Sequence, residues 1–258
     1  MILFLAGTSD ARELAVALQR QGHPLIATVV TESAASSLEK EGIAHHVGRL
    51  SLEDMKNMIQ QKNISLVIDA SHPYAEEASK TAMMAAEQCQ ILYIRYERPQ
   101  QQYRHPLVTK VETYEEAALL AREHRGTVML TTGSKTLATF TKHLFIDSIR
   151  LVCRMLPNKE NMEKCDSLGI KQRDIIAMQG PFSKELNMAL YRQYKTTLVI
   201  TKESGKVGSV DEKMEAALEL NIPVLLIKRP KIIYVNQCST FDEVFQKLGG
   251  ILHGQYEL

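Results

Sequence analysis

Ile2-Leu3-Phe4-Leu5-Ala6-Gly7-Thr8-Ser9-Asp10-Ala11-Arg12 is the stretch whose reading decides the fold. Five apolar residues in succession fit a first strand buried on both faces. Gly7 allows a tight turn and the close approach of a ligand. Thr8, Ser9 and the N–H groups of a helix running to about Leu18 can bind phosphate oxygens. The turn holds one glycine, whereas the usual dinucleotide fingerprint has three. An ordinary strand-to-helix turn, with Ser9 or Asp10 as N-cap, gives the same local pattern.

Working outward, short apolar runs recur at Leu25–Val30, Leu66–Ala70, Ile91–Tyr96, Thr127–Leu130, Ile149–Val152, Ile175–Met178, Thr197–Ile200 and Pro223–Ile227. Helical stretches separate most of them. The expected fold class is therefore α/β, with mainly parallel sheets covered on both faces. Ser51 with Asp54, and Thr113 with Glu116, have the spacing of capping boxes. Pro73 suits the first turn of a helix reaching about Cys89. Glu97-Arg98-Pro99-Gln100-Gln101-Gln102-Tyr103-Arg104-His105-Pro106 is the densest helix-breaking region. The expected division is thus 1–105 and 106–258, with the boundary somewhere within 97–126.

The chain has 258 residues, a formal net charge of +1, 45% apolar and 24% charged residues. That is ordinary for a globular protein, and the charge balance argues against nucleic-acid or membrane-surface binding. Cys89, Cys153, Cys165 and Cys238 lack zinc-type or C-x-x-C spacing, so they read as reduced thiols of a cytoplasmic protein. The apolar amino terminus is too short for a signal peptide or a membrane span. His45-His46 has no partner at ligand spacing, and no metal site is expected. Oligomeric state is not legible.

In doubly wound sheets, ligands sit outside the carboxyl ends of strands. Thr31-Glu32-Ser33 follows the second strand, where an acid would read ribose hydroxyls and repel a 2′-phosphate. Ser71-His72-Pro73-Tyr74 follows the Leu66–Ala70 run; Ser71 or His72 could equally be a simple cap. Thr131-Thr132-Gly133-Ser134-Lys135, Gln179-Gly180-Pro181-Phe182 and Thr201-Lys202-Glu203-Ser204-Gly205 repeat the glycine-and-hydroxyl pattern at later strand ends. Lys135, Lys202 and Lys206 would face an anionic ligand, or be solvated surface charges.

Taken together, these motifs resemble the precorrin-6A reductases of cobalamin biosynthesis, over nearly the whole chain. The likeness rests on Gly7-Thr8-Ser9-Asp10-Ala11-Arg12 and on Asp69-Ala70-Ser71-His72-Pro73-Tyr74-Ala75. It rests further on Glu97-Arg98-Pro99, Arg154-Met155-Leu156-Pro157, Lys228-Arg229-Pro230 and the three turns just named. Ala6 stands where the family opening has a glycine. The resemblance implies two Rossmann-like domains with the active site in the cleft between them. It implies NAD(P)H-dependent reduction of one double bond of an anionic tetrapyrrole, precorrin-6A or its cobalt form, to precorrin-6B, without a protein-bound metal or flavin. Carried over, Gly7, Thr8, Ser9, Glu32, Ser71 and Tyr74 are cofactor-binding candidates. Thr132, Gly133, Ser134, Lys135, Gly180, Pro181, Phe182, Thr201, Glu203, Ser204 and Gly205 are substrate-binding candidates. Lys202, then His72, are candidates for proton donation. The turn around Glu32 lacks an arginine, which favours NADH over NADPH and the anaerobic cobalt branch. Another NAD(P)-dependent reductase on the same scaffold, or a non-catalytic nucleotide sensor, would share the first-half motifs.

Overall fold

The computed structural model describes residues 1–99, 104–203 and 211–252, the side chains of 251 and 252 apart. The chain divides into two units, 1–99 with 230–258 and 100–229.

The first unit begins with β1 (Ile2–Ala6), α1 (Ser9–Arg20), β2 (Leu25–Val29), α2 (Glu32–Glu39) and β3 (His45–Val47). It continues through α3 (Leu52–Gln61), β4 (Leu66–Ala70), α4 (Glu76–Gln88) and β5 (Leu92–Tyr96). The second unit runs β6 (Val108–Val111), α5 (Tyr114–Arg122), β7 (Gly126–Leu130), a 3-10 turn (Ser134–Thr136), α6 (Leu137–Leu144) and β8 (Ile149–Met155). Then come α7 (Lys159–Ser167), β9 (Ile175–Ala177), α8 (Lys184–Gln193), β10 (Thr196–Lys202), α9 (Glu212–Glu219) and β11 (Val224–Ile227). The chain then returns to the first unit with β12 (Gln237–Cys238) and α10 (Phe241–Leu252).

The first sheet has the order β12-β5-β4-β1-β2-β3, and every pairing in it is parallel. The second has the order β6-β11-β10-β7-β8-β9, again parallel throughout. Each is doubly wound: the order reverses between β1 and β4 in one, and between β7 and β10 in the other. The two halves share the order of five strands and differ in the sixth, which comes last along the chain in the first unit (β12) and first in the second (β6).

Burial on both faces explains the unbroken apolar strands. In β1, Ile2 and Phe4 join a core with Leu14 and Leu18 of α1, Leu38 of α2 and Val244 of α10. Leu3 and Leu5 point the other way, to Met55 and Ile59 of α3 and Ala82, Ala85 and Ala86 of α4. In the second sheet, Met129, Val152, Val199, Val224 and Leu226 pack on Tyr191 of α8 and Met214 of α9. Truncating a fully buried ring such as Phe4 costs about 3–5 kcal/mol.

Local signals were honoured with two shifts. Ser51 and Asp54 form the full capping box, and Thr113 accepts from the Glu116 amide. Thr8, rather than Ser9 or Asp10, caps α1 by accepting from the Ala11 amide. Helix α4 starts at Glu76, three residues after Pro73, because His72–Ala75 form a separate turn in which the Ala75 amide donates to the His72 carbonyl at 2.7 Å.

The sequence expectation left 230–258 with the second half. Instead the Arg95 amide donates to the Asn236 carbonyl and the Glu97 amide to the Cys238 carbonyl, so β12 extends the first sheet. Cys238, Val244 and Leu248 complete a core begun more than 130 residues earlier in sequence. A chain ended at Arg229 is therefore expected to lose the cooperative unfolding of the first unit, followed by urea denaturation monitored by hydrogen exchange. An unchanged exchange profile for β1, β4 and β5 in that truncation would contradict this role.

Candidate active site

At the first reversal of strand order, the chain leaves β1 for a helix on one face and β4 for a helix on the other, since α1 and α4 pack in opposite cores. That divergence opens a crevice at the carboxyl edge. The registers Ala6↔Ala70 and Leu5↔Thr28 bring the turns after β1, β4 and β2 to that same edge. The turns that carry Gly7–Ser9, Ser71–Tyr74 and Glu32 thus lie at one edge of the sheet.

Gly7 is required by the chain itself. A Cβ at Gly7 would overlap the His72 amide nitrogen and lie 2.9 Å from the carbonyl carbon and Cα of Ser71. The two turns are pressed together backbone to backbone. Ser9 is exposed in the first turn of α1, where N–H groups lack intrahelical acceptors. Asp10 beside it is held by Arg98 at 3.0 Å. Burial, and then the Asp10 carboxylate, push the Tyr96 hydroxyl up to about 12. Glu32 is exposed at the first position of α2 behind the Thr31 cap.

His72 is exposed, its Nδ1 accepts from the Tyr74 amide at 3.3 Å, and its ring lies 5.8 Å from the Tyr74 ring. Ser71 is turned inward. Its amide donates to Asp69 Oδ1 at 2.9 Å, and its hydroxyl accepts from Arg95 Nη1 at 3.1 Å. Arg95, directly opposite Asp69 in the sheet, is 0% exposed. It bridges Asp69 Oδ1 at 3.0 Å and Glu97 Oε2 at 2.7 Å, while Tyr93 donates to Asp69 Oδ2 at 2.7 Å. Burial works against the Arg95 charge, but Asp69, Tyr234 and Glu97 outweigh it and hold its pKa above the ordinary arginine value. Sequence reasoning noted Asp69 and Glu97 only within motifs and missed the network; a charged residue inside an apolar strand run, Arg95 in Leu92–Tyr96, was the available signal.

The second reversal has a different character. The Thr131 amide donates to the Ile200 carbonyl at 2.9 Å, which sets the Thr131–Lys135 turn beside Thr201 and Lys202. Gly133 adopts φ +83° with open space around its missing Cβ, and the Thr132 and Thr136 hydroxyls lie 3.0 Å apart. Burial, then the charges of Lys213 and Lys135, lower Lys202 to about 8. Lys213, which sequence reasoning did not single out, lies 3.3 Å from Asp211 and donates to the Thr201 hydroxyl at 3.4 Å. Its signal was only a lysine in the first turn of a helix. Thr201 and Glu203 are buried. Ser204, Gly205 and Lys206 lie outside the described residues.

The Gly180–Phe182 turn follows β9, two strands from β7, so the topology does not set it beside Lys202. Its Phe182 ring lies 4.1 Å from the buried Arg154 guanidinium, which donates to Asn187 at 2.7 Å. Burial lowers the Arg154 pKa. Among the described residues no three His, Cys, Asp or Glu side chains gather to hold a metal ion, and no helix is long and apolar enough to cross a membrane. All four cysteines are free.

A doubly wound parallel sheet with a glycine turn, a helix amino terminus and an acid at adjacent strand ends is an architecture that many nucleotide-dependent enzymes share. The family model described as precorrin-6x reductase CbiJ/CobK matches residues 1–249, and the chain belongs to that family. It is 54% identical to the cobalt-precorrin-6A reductase of Priestia megaterium over 249 residues, covering 96% of this chain and 98% of that protein. It is 36% identical to the cobalt-precorrin-6A reductase of Salmonella typhimurium strain LT2, covering 89% and 87%. The solved structure titled CobK precorrin-6A reductase aligns with a TM-score of 0.77 at 23% identity, over 96% of this chain and 95% of that one, and shares the fold.

Because Gly7 abuts the Ser71–His72 backbone, Gly7→Ala must displace one turn. The expected cost is about 1–3 kcal/mol of stability in the first unit, read from urea denaturation. A variant as stable as the parent would mean that the contact yields freely.

Proposed function

We propose that this protein reduces one carbon–carbon double bond of cobalt-precorrin-6A to give cobalt-precorrin-6B, in the anaerobic cobalt branch, with NADH as hydride source. The observation that carries the reading is the crevice between β1 and β4, with Gly7, the start of α1 and Glu32 at one edge. The names of its relatives support the substrate.

The residues present fit a dinucleotide. The α1 N–H groups and the Thr8–Ser9 turn suit a pyrophosphate. Glu32, at the adjacent strand end, suits ribose hydroxyls and opposes a 2′-phosphate. When bound, the nicotinamide supplies a hydride. The chain's part is to orient it, exclude water and deliver a proton. We assign His72 and Tyr74 to the reacting end of this crevice. The macrocycle's carboxylates we assign to Lys135, after β7, and Lys213, in the first turn of α9, with Thr132–Ser134 and Gly180–Phe182 at the carboxyl edge of that sheet. Thr201 and Glu203 flank Lys202 in the chain and are buried, and we assign Ser204 and Gly205 to substrate as well.

Lys202 is the proton donor in this reading. An ordinary lysine holds its proton too firmly to act near neutrality; burial and two neighbouring cations loosen it to about 8. Below that pH Lys202 carries the proton it donates, and above it the proton is lost. The free-enzyme profile of kcat/KM should therefore fall as pH rises through about 8. Lys202→Ala should remove that limb and lower kcat about 100- to 10,000-fold, with NADH affinity unchanged. Parent-like turnover in this variant would exclude Lys202 from the chemistry.

The direct test is anaerobic oxidation of NADH or NADPH upon addition of cobalt-precorrin-6A, with metal-free precorrin-6A in parallel. No oxidation in any combination would refute the reductase reading and favour a nucleotide sensor. Ser9→Glu, which sets a carboxylate where the pyrophosphate is assigned, should abolish calorimetric NADH binding. Glu32→Ser should raise NADPH use relative to NADH by at least about tenfold; an unchanged ratio would remove Glu32 from cofactor choice.

A further inference from the structure

We propose that Arg95 is a positioning residue of the reduction: its buried guanidinium locks the Ser71–His72 turn against Gly7 and thereby shapes the dinucleotide crevice. The inference rests on the reading of the Gly7–Ser9 turn as the pyrophosphate site.

The geometry concentrates four functions in one side chain. Nη1 reaches Asp69 Oδ1 at 3.0 Å, the Ser71 hydroxyl at 3.1 Å and the Asp69 carbonyl at 3.4 Å. Nε and Nη2 both donate to Glu97 Oε2, at 3.1 and 2.7 Å. Asp69 in turn receives the Ser71 amide and the Tyr93 hydroxyl, so the amide and the hydroxyl of Ser71 are both tied into the same network. Ser79 of α4 stands 3.4 Å from the Ser71 hydroxyl and ties the turn to the following helix. On the outer side the Tyr234 ring lies 5.2 Å from the guanidinium and stacks on Tyr93 at 6.5 Å. The chain segment that returns from the second unit therefore closes the network.

A charge this deep is a poor choice for stability alone, since apolar residues of similar volume commonly serve as well. What the guanidinium adds is direction. Its planar fork holds a hydroxyl and two carboxylates in one fixed plane, a geometry that neither an apolar residue nor the single rotating nitrogen of an ammonium reproduces. The residue fixed by that fork, Ser71, is the one whose backbone meets Gly7 without room for a methyl group. A displacement of the turn by an ångström would shift it against the α1 amino terminus and misshape the crevice the dinucleotide is assigned to, so the loss falls on binding.

Arg95→Lys keeps the charge opposite Asp69 and removes the fork. In the folded variant the calorimetric NADH dissociation constant should rise roughly tenfold to a hundredfold. KM for NADH should rise in parallel, with kcat at saturating NADH nearly preserved. Ser71→Ala should weaken NADH binding in the same direction. The double variant should be no weaker than Arg95→Lys alone, because one residue acts through the other. Should Arg95→Lys fail to fold, Glu97→Gln loosens the same guanidinium from its outer side and should raise the dissociation constant by about threefold or more. A folded Arg95→Lys that binds NADH as the parent does, with only a lowered melting temperature, would overturn the proposal. So would full multiplication of the Arg95 and Ser71 effects. If Ser9→Glu binds NADH normally, the pyrophosphate reading itself fails; if Ser9→Glu loses binding while Arg95→Lys keeps it, only the role of Arg95 fails.

Discussion

The backbone of Ser71–His72 runs so close to Gly7 that no side chain fits between them. This contact joins the carboxyl ends of β1 and β4 at the point where the strand order reverses. Everything at that edge depends on it. The α1 amino terminus is aimed by the turn that Gly7 makes, His72 is presented by the turn that presses on Gly7, and Ser71 beneath is anchored to a buried arginine. A glycine expected to admit a ligand proves to admit first another part of the chain. The ligand-facing geometry is a consequence of that packing.

The fold was legible where the chain obeys one simple rule. Strands buried on both faces need unbroken apolar runs, and nine such runs became nine strands with ends shifted by a few residues. Three strands escaped. His45–Val47 and Gln237–Cys238 are too short and polar to carry a pattern, and Val108–Val111 has two exposed central residues at a sheet edge. All three lie at sheet margins, where burial is incomplete and the composition relaxes. The missed return of β12 has the same origin. Strand pairing between Arg95 and Asn236 is a long-range contact that no local pattern encodes. The expected division was 1–105 and 106–258, whereas the first unit runs to Pro99 and resumes at Pro230.

Site residues were legible by position and less so by role. Strand-end turns can be read from sequence because topology fixes where they go. The direction in which each side chain points cannot. Ser71 faces inward and Tyr74 lies beside His72. Phe182 covers Arg154 at the far side of its sheet. Arg95 and Lys213 were passed over because each sits inside an element, where charge usually means a solvated face. Their significance is three-dimensional: one is opposite a buried aspartate, the other shares a threonine hydroxyl at the end of β10.

The two reversal points now separate by electrostatics although their topology is the same. The first gathers acids, Glu32 exposed and Asp10 held by Arg98, around a helix amino terminus. In the proposed reading, that edge takes a ligand with hydroxyls beside one pyrophosphate and discourages further phosphates. The second gathers lysines, and their mutual repulsion is what lowers Lys202 beyond the effect of burial. Asp211 already offsets part of the charge, 3.3 Å from Lys213, and a further anion would offset more of it. A substrate rich in carboxylates would relieve that repulsion at Lys135 and Lys213 and return Lys202 towards its ordinary affinity for a proton. In the proposed reading, substrate binding thus loads Lys202, because carboxylates held by Lys135 and Lys213 would make its protonated form the favoured one.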